Sequence, residues 1–227
     1  MNAEGSIFFT YSQNEIYKFG TLTVSPYDWL SASYFYYRPA DLYWGYISES
    51  TLGKYLDKGF NAKINILQET KKLPSVSIGL DDFAGTGYFS KEYIIATKQL
   101  NNFKLSLGAG FGKFAGERPR SNIFSKVFSD FDNRISSYQN NSQGGEISYK
   151  TWFRGPMGYF GGIEAHIPHS NGLSVKIEYD PFDYFDFSCC GSGSSPQSQF
   201  LRKKDSNLNF GFNYPLNKNL NISLSYI

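Results

Sequence analysis

The stretch GLDDFAGTGYFSKEY gathers several reactive residue types in a short span: Asp81, Asp82 and Glu92 flank Gly85, Thr86 and Gly87. Paired carboxylates can divide the work of general acid and general base, as a glycosidase requires when two carboxyls face each other across a sugar. A Gly-Thr-Gly run can cradle a phosphate, but a phosphate loop needs a helix after the glycines and a Lys-Ser/Thr pair at set spacing. Strand-like SVSIGL before the run and EYIIATK after it exclude that reading, and GAGFG (108–112) fails the same test. Sequence spacing does not set the three carboxylates across a substrate. The preferred expectation is therefore a compact turn joining two antiparallel strands. Gly85 and Gly87 supply positive φ there, Asp81, Asp82 and the Thr86 hydroxyl hydrogen-bond the turn's own backbone, and Lys91 or Arg118 neutralises one carboxylate.

Other chemical candidates are sparse. His166 and His169 flank Pro168 beside a turn, with no carboxylate or Cys at metal-ligand spacing, so they read as structural or solvated. The only cysteines, Cys189 and Cys190, are neighbours; bridging each other requires strain, and they read as loop residues. No Ser-His-Asp arrangement or nucleophile elbow is visible. The expectation is no catalytic residue, no metal and no cofactor.

The elements that would hold these residues are strands. Phe60, Ala62, Ile64 and Ile66 alternate with Asn61, Lys63 and Asn65, and Phe103, Leu105, Leu107, Ala109 and Phe111 alternate with Lys104, Ser106, Gly108 and Gly110. The same period runs through GEISYKTWF, GLSVKIEYD, SNLNFGFNYPL and LNISLSYI. Successive strand side chains point to opposite faces, so each segment has one apolar and one polar face. No segment of comparable length has helical periodicity, and the fold class is all-β.

Composition narrows the class further. The 227 residues suit one domain, 1–227, and a net charge of +2 from 22 basic and 20 acidic residues gives nucleic acid no electrostatic hold. Eighteen Tyr, 21 Phe and 3 Trp make 19% of the chain aromatic, more than a soluble core needs; a membrane barrel sets such rings in girdles at both interfaces. No run reaches the ~18 apolar residues of a transmembrane helix. MNAEGSIFFTYSQNE lacks the basic and apolar regions of a signal peptide, which for an exported protein implies a mature form or a piece of a longer chain.

Short turns such as QLNNF and YPLNKN alternate with long polar connections at 116–145 and 180–205, and a third near 38–59 has room for a short helix. Short turns at one end and long loops at the other describe an outer-membrane barrel, here an antiparallel meander of about ten to twelve strands. A soluble β-sandwich also alternates. The aromatic-rich apolar face and the mixed opposite face favour the barrel. Lys98, Lys104, Lys150, Trp152, Glu164, Lys176 and Glu178 then become candidate lumen residues for sugar contact, beside Asn61, Lys63 and Asn209.

The segment KLPSVSIGLDDFAGTGYFSKEYIIATKQLNNFKLSLGAGFGKFAG resembles the signature region of the YjbH family. The likeness continues in YLDKGFNAKINILQET, WFRGPMGYFGGIEAHIP and NGLSVKIEYDPFDY. The resemblance implies an outer-membrane β-barrel associated with exopolysaccharide and capsule biosynthesis in Gram-negative bacteria, here a fragment or a shortened relative. It brings no catalytic residues. A non-enzymatic export component follows as the expectation, with outer-membrane lipid, the polysaccharide and other export proteins as partners. A polymer-modifying enzyme using Asp81, Asp82 and Glu92 and a passive porin-like barrel are the alternatives.

Overall fold

A computed structural model of the chain describes residues 3–13, 17–39, 42–43, 55–87, 89–116, 119–135, 147, 149–182, 197–198, 204–217 and 220–226. The strands are β1 (Ser6–Gln13), β2 (Tyr17–Tyr27), β3 (Leu30–Pro39), β4 (Leu42–Tyr43), β5 (Asp57–Leu67), β6 (Ser75–Gly85), β7 (Lys91–Leu100), β8 (Phe103–Gly112), β9 (Met157–His166), β10 (Ser174–Tyr179), β11 (Gln197–Ser198), β12 (Leu208–Asn217) and β13 (Leu220–Tyr226). Eleven of them form one sheet in the order β1-β2-β3-β5-β6-β7-β8-β9-β10-β12-β13, and β4 pairs separately with β11. Every neighbouring pair in the large sheet is antiparallel. The all-β meander matches the alternation in the sequence. The sheet is not closed: β1 and β13 are its two edges.

The register sorts side chains as the period-two pattern requires. One cross-strand row joins Ile64, Ile78, Ile94, Ala109 and Tyr159; the next joins Lys63, Gly79, Tyr93, Gly110 and Gly158. Ile64, Leu105 and Ile177 share the apolar face with Leu22, Leu107, Ile163, Phe212 and Leu224. That face is not packed against a second layer: Leu107 is 61% exposed, Phe212 53% and Leu224 66%. Among the described residues the buried apolar side chains are few: Phe35, Pro39, Tyr55, Ala84, Phe111, Ala115, Met157 and Pro181. This is a one-layer sheet without the closed core that a sandwich places between two sheets.

Strand reversal assigns each connection to an end. The links 28–29, 68–74, 101–102 and 167–173 lie at one end; 40–56, 86–90, 113–156 and 180–207 lie at the other. The three longest connections, 40–56, 113–156 and 180–207, share that second end with the five-residue link 86–90. Of the 38–59 stretch considered for a short helix, 40–41 and 44–54 lie outside the described residues, as do Cys189 and Cys190, and its described ends belong to β3 and β5.

One expected strand does not form among the described residues. GEISYKTWF alternates, yet Ile147 makes only an isolated bridge to Ala84, and Tyr149–Thr151 is a 3-10 turn followed by Phe153 at φ 56°. β9 occupies the edge of β8 and β10 the far edge of β9, so the segment has no ladder to join beyond the short stretch beside Ala84.

Candidate functional site

The polar face carries its chemistry in strips along the strands. At the long-loop end, Tyr17 and Phe19 of β2 and Phe35 and Tyr37 of β3 project onto it at alternate positions. The rings interlock: Tyr17 lies 5.7 Å from Tyr37, Phe19 6.3 Å from Phe35, and Tyr37 meets Phe89 edge-on at 4.9 Å. With Asn61, Asp81, Asp82 and Lys91 they line a cleft of about 200 Å³. Lys91 bridges to Asp81 at 3.7 Å and lies 4.4 Å from the centre of the Phe182 ring. One expected neutralising partner of the carboxylates is thus in place; Arg118 lies outside the described residues.

The local backbone explains why two adjacent carboxylates sit here. Ala62 pairs with Leu80 and Phe60 with Ala84, so Asp81, Asp82 and Phe83 bulge opposite the single residue Asn61. Asp82 takes φ 52°, and its N–H donates to the Asn61 side-chain oxygen at 2.9 Å. The bulge turns Asp82 inward to 2% exposure beside Asp57, which is fully buried at the start of β5. Asp57 Oδ1 accepts from the Thr86 hydroxyl at 2.8 Å and the Lys58 N–H at 2.9 Å; Asp82 Oδ2 accepts from the Phe89 N–H at 3.2 Å. Asp57 Oδ2 and Asp82 Oδ1 have no hydrogen-bond partner among the described residues.

This geometry corrects the turn read from the sequence. Asp81, Asp82 and Gly85 belong to β6, Glu92 belongs to β7, and the reversal occupies 86–90 with Gly87 at φ 68°. Gly85 does not take positive φ. It is required by crowding: a Cβ there would stand 2.3 Å from Asp82 Oδ1 and 2.8 Å from the Lys58 carbonyl oxygen.

Deeper on the same face the lining is small and hydroxylic. Thr23 pairs with Ser33 and Ser25 with Ser31, each at 2.8 Å, and Lys63 and Tyr93 close the hollow. Towards the short-turn end Lys104, Glu164 and Lys176 form one cross-strand row, with Lys176 3.6 Å from Glu164. Glu178 lies opposite Asn209. His166 approaches Glu164 at 3.9 Å, and His169 sits in the β9–β10 turn at φ 61°.

Three candidate lumen residues lie elsewhere. Lys98 shares the apolar-face row with Leu105 and Ile163, at the short-turn end. It bridges to Glu69 at 3.1 Å and donates to the carbonyls of Thr70 and Leu73. Lys150 is exposed in the 3-10 turn, and Trp152 packs edge-on against Phe83 at 6.4 Å. The alternation that pointed them inward belongs to the segment that forms no strand.

Glu92 proves to be structural. It lies on the apolar face in a row with Leu80, Phe111 and Met157. Residues 119–135 and 149–156 fold over this row as a rim lobe. Arg134 reaches Glu92 through two nitrogens, at 2.6 and 2.9 Å, and the Phe153 N–H donates to the same carboxylate at 3.1 Å. Asn122 donates to the carbonyls of Phe131, Phe153 and Gly155, while Phe124 stacks on Phe111 at 5.7 Å. Arg134 and Asn122 carry no local sequence signal, since their partners lie on distant strands. Tyr17, Phe19, Phe35 and Tyr37 could have been found: their period-two spacing puts aromatics in the phase otherwise held by Thr and Ser. Among the described residues no group of three or more His, Cys, Asp or Glu is placed to hold a metal.

Residues 1–227 match the YjbH family model, described as exopolysaccharide biosynthesis protein YbjH. The chain belongs to the YjbH family. It is 28% identical over 235 residues to the protein of Escherichia coli K12 named uncharacterized lipoprotein YjbH, a match covering all of this chain and 30% of that protein. No solved structure matches. This YjbH-family chain combines an aromatic and acidic cleft with a wide exposed apolar face.

Proposed function

We propose that this chain forms wall of an outer-membrane β-barrel that serves exopolysaccharide or capsule biosynthesis as a non-enzymatic export component. The observation that carries the reading is the continuous apolar face, exposed across the eleven-stranded sheet while the opposite face is polar. Monomeric soluble proteins rarely expose apolar patches beyond a few hundred Å². Hydrocarbon is a cover that suits such a face, and a sheet satisfies its backbone in lipid only when its edges are paired. The rim lobe over Phe111 and Met157 marks where the lipid band ends. The E. coli relative's description as a lipoprotein agrees with an envelope location.

Strand count bears on closure. With eleven alternating strands, β1 and β13 run in the same direction, so joining them directly would need a parallel ladder. Bacterial single-chain barrels are antiparallel with even strand numbers. An odd number of additional strands between β13 and β1 completes an antiparallel barrel. The chain spans 30% of the length of its E. coli relative, which leaves ample sequence in a protein of that size to supply them.

The carboxylates support a binding role over hydrolysis. Asp81 is engaged by Lys91 and Glu92 by Arg134, and Asp57 and Asp82 are buried side by side at one wall instead of facing each other across the cleft. The test is deletion of the gene with complementation. Surface polymer should be lost on deletion and restored by the full-length protein, which should sediment with the outer membrane. Unchanged polymer output, or protein recovered outside the outer membrane, contradicts the proposal.

A further inference from the structure

The geometry points to the loop-end cleft as a binding site for an uncharged pyranose chain, neutral hexose or N-acetylhexosamine, that discriminates against uronate-rich polymer. This rests on the export reading above and names the sugar class that its cleft accepts. Three independent features converge. The first is the wall of half-buried rings from Tyr17, Phe19 and Tyr37, on the same face as the carboxylates. The C–H face of a pyranose is flat and apolar, and an aromatic ring is its natural stacking partner.

The second is an unmet acceptor. Asp82 Oδ1 is buried among the cleft residues without a donor, and a buried acceptor left without a partner costs about 1–3 kcal/mol. A sugar hydroxyl is a donor of the right size to meet it. Gly59 and Gly85 make room for this carboxylate itself, since a Cβ on either would come within 2.6 Å of Oδ1.

The third is the lack of an open cation. Asp81 and Asp82 line the cleft and Asp57 stands beside Asp82, against the single cleft cation Lys91 among the described residues. Lys91 is already held by Asp81 and by the Phe182 ring, so it does not offer an anion an open partner. A uronate carboxylate entering here would be partly desolvated with no open cation to pair it, a cost that an uncharged sugar avoids.

The test uses the full-length protein folded in detergent micelles, titrated calorimetrically with cellohexaose, the hexamer of N-acetylglucosamine and hexagalacturonate. At least one uncharged hexamer should bind, and hexagalacturonate should bind roughly ten-fold more weakly or not at all, a difference of about 1.4 kcal/mol. Phe19→Ala and Tyr17→Ala should each weaken the uncharged ligand roughly two- to ten-fold, the range of an aromatic contact. Asp81→Asn should narrow the gap to hexagalacturonate by removing one carboxylate and releasing Lys91. Heat-modifiable migration on gels reports folding; if Phe19→Ala misfolds, Tyr17→Ala at the strand start carries the test. Tight hexagalacturonate binding, no binding of either uncharged hexamer, or no effect of the folded ring variants overturns the assignment. A folded protein that fails to bind yet restores surface polymer refutes the cleft alone; failure of restoration as well refutes the export reading too.

Discussion

Arg134 and Glu92, 42 residues apart in sequence, meet in a bidentate ion pair at 2.6 and 2.9 Å on the apolar side of the sheet. The carboxylate side chain is 2% exposed and the guanidinium 15%. The pair pins the rim lobe to β7 and closes the apolar face at the long-loop end. Removing one partner of a buried pair leaves an uncompensated charge, so Arg134→Met or Glu92→Gln should destabilise by about 3–5 kcal/mol. Residues 119–135 should become the first site of proteolysis. The double variant Glu92→Leu/Arg134→Leu should recover part of that loss in urea unfolding; additive losses would contradict the pairing.

A charge on the apolar face should cost more than one on the polar face. Ile177→Lys or Leu107→Lys should destabilise the membrane-inserted protein by about 2–4 kcal/mol if the site lies near the bilayer midplane, whereas Ser106→Lys should be nearly neutral. Unfolding titrations in lipid vesicles measure the difference. Equal effects at positions 106 and 107 would contradict the facial assignment.

The fold was legible from the sequence because a period of two both identifies a strand and sorts its faces. Ile64, Leu105 and Ile177 lie where alternation sets them. The same rule misled at Lys150 and Trp152, because alternation does not report whether a strand edge is available to pair with. Asp81 and Asp82 were recognised as chemically notable but set in a turn. A bulge depends on the facing residue, here Asn61, and that pairing is long-range. The Glu92–Arg134 pair was beyond local reading for the same reason.

Gly85 should tolerate no side chain, although its φ is ordinary. Gly85→Ala sets a methyl 2.3 Å from Asp82 Oδ1 and 2.8 Å from a backbone oxygen, so it should cost about 1–3 kcal/mol as an overpacking change. Gly20→Ala, whose Cβ meets nothing nearer than 3.9 Å, serves as the control. Comparable denaturation midpoints for the two would refute the crowding account.

Glu69, in the β5–β6 turn, carries a pH dependence of known sign. The Gln99 N–H, then the Lys98 ammonium, hold its carboxyl below the usual carboxylate range. Its stabilising contribution is therefore complete above the unfolded value of about 4.3 and is lost as pH falls through the lower folded value. Glu69→Gln should flatten that part of the acid limb of the stability profile. An acid limb of unchanged slope would show that the contact contributes nothing.

Parity makes the open edges testable. In native outer membranes, paired cysteines at Phe9→Cys of β1 and Leu224→Cys of β13 should not cross-link within one molecule, because additional strands separate these edges. Rapid, quantitative intramolecular disulfide formation would contradict the antiparallel closure proposed here.

The most direct test of the central claim is nitroxide scanning of residues 174–179 in β10 of the full-length protein with Cys189→Ser and Cys190→Ser, reconstituted in lipid vesicles. Collision rates with oxygen, which partitions into hydrocarbon, should peak at Val175, Ile177 and Tyr179. Rates with a water-soluble nickel chelate should peak at Ser174, Lys176 and Glu178, out of phase by one residue. Oxygen collisions that show no period of two, or that are lowest at Ile177, would contradict a sheet whose apolar face meets lipid.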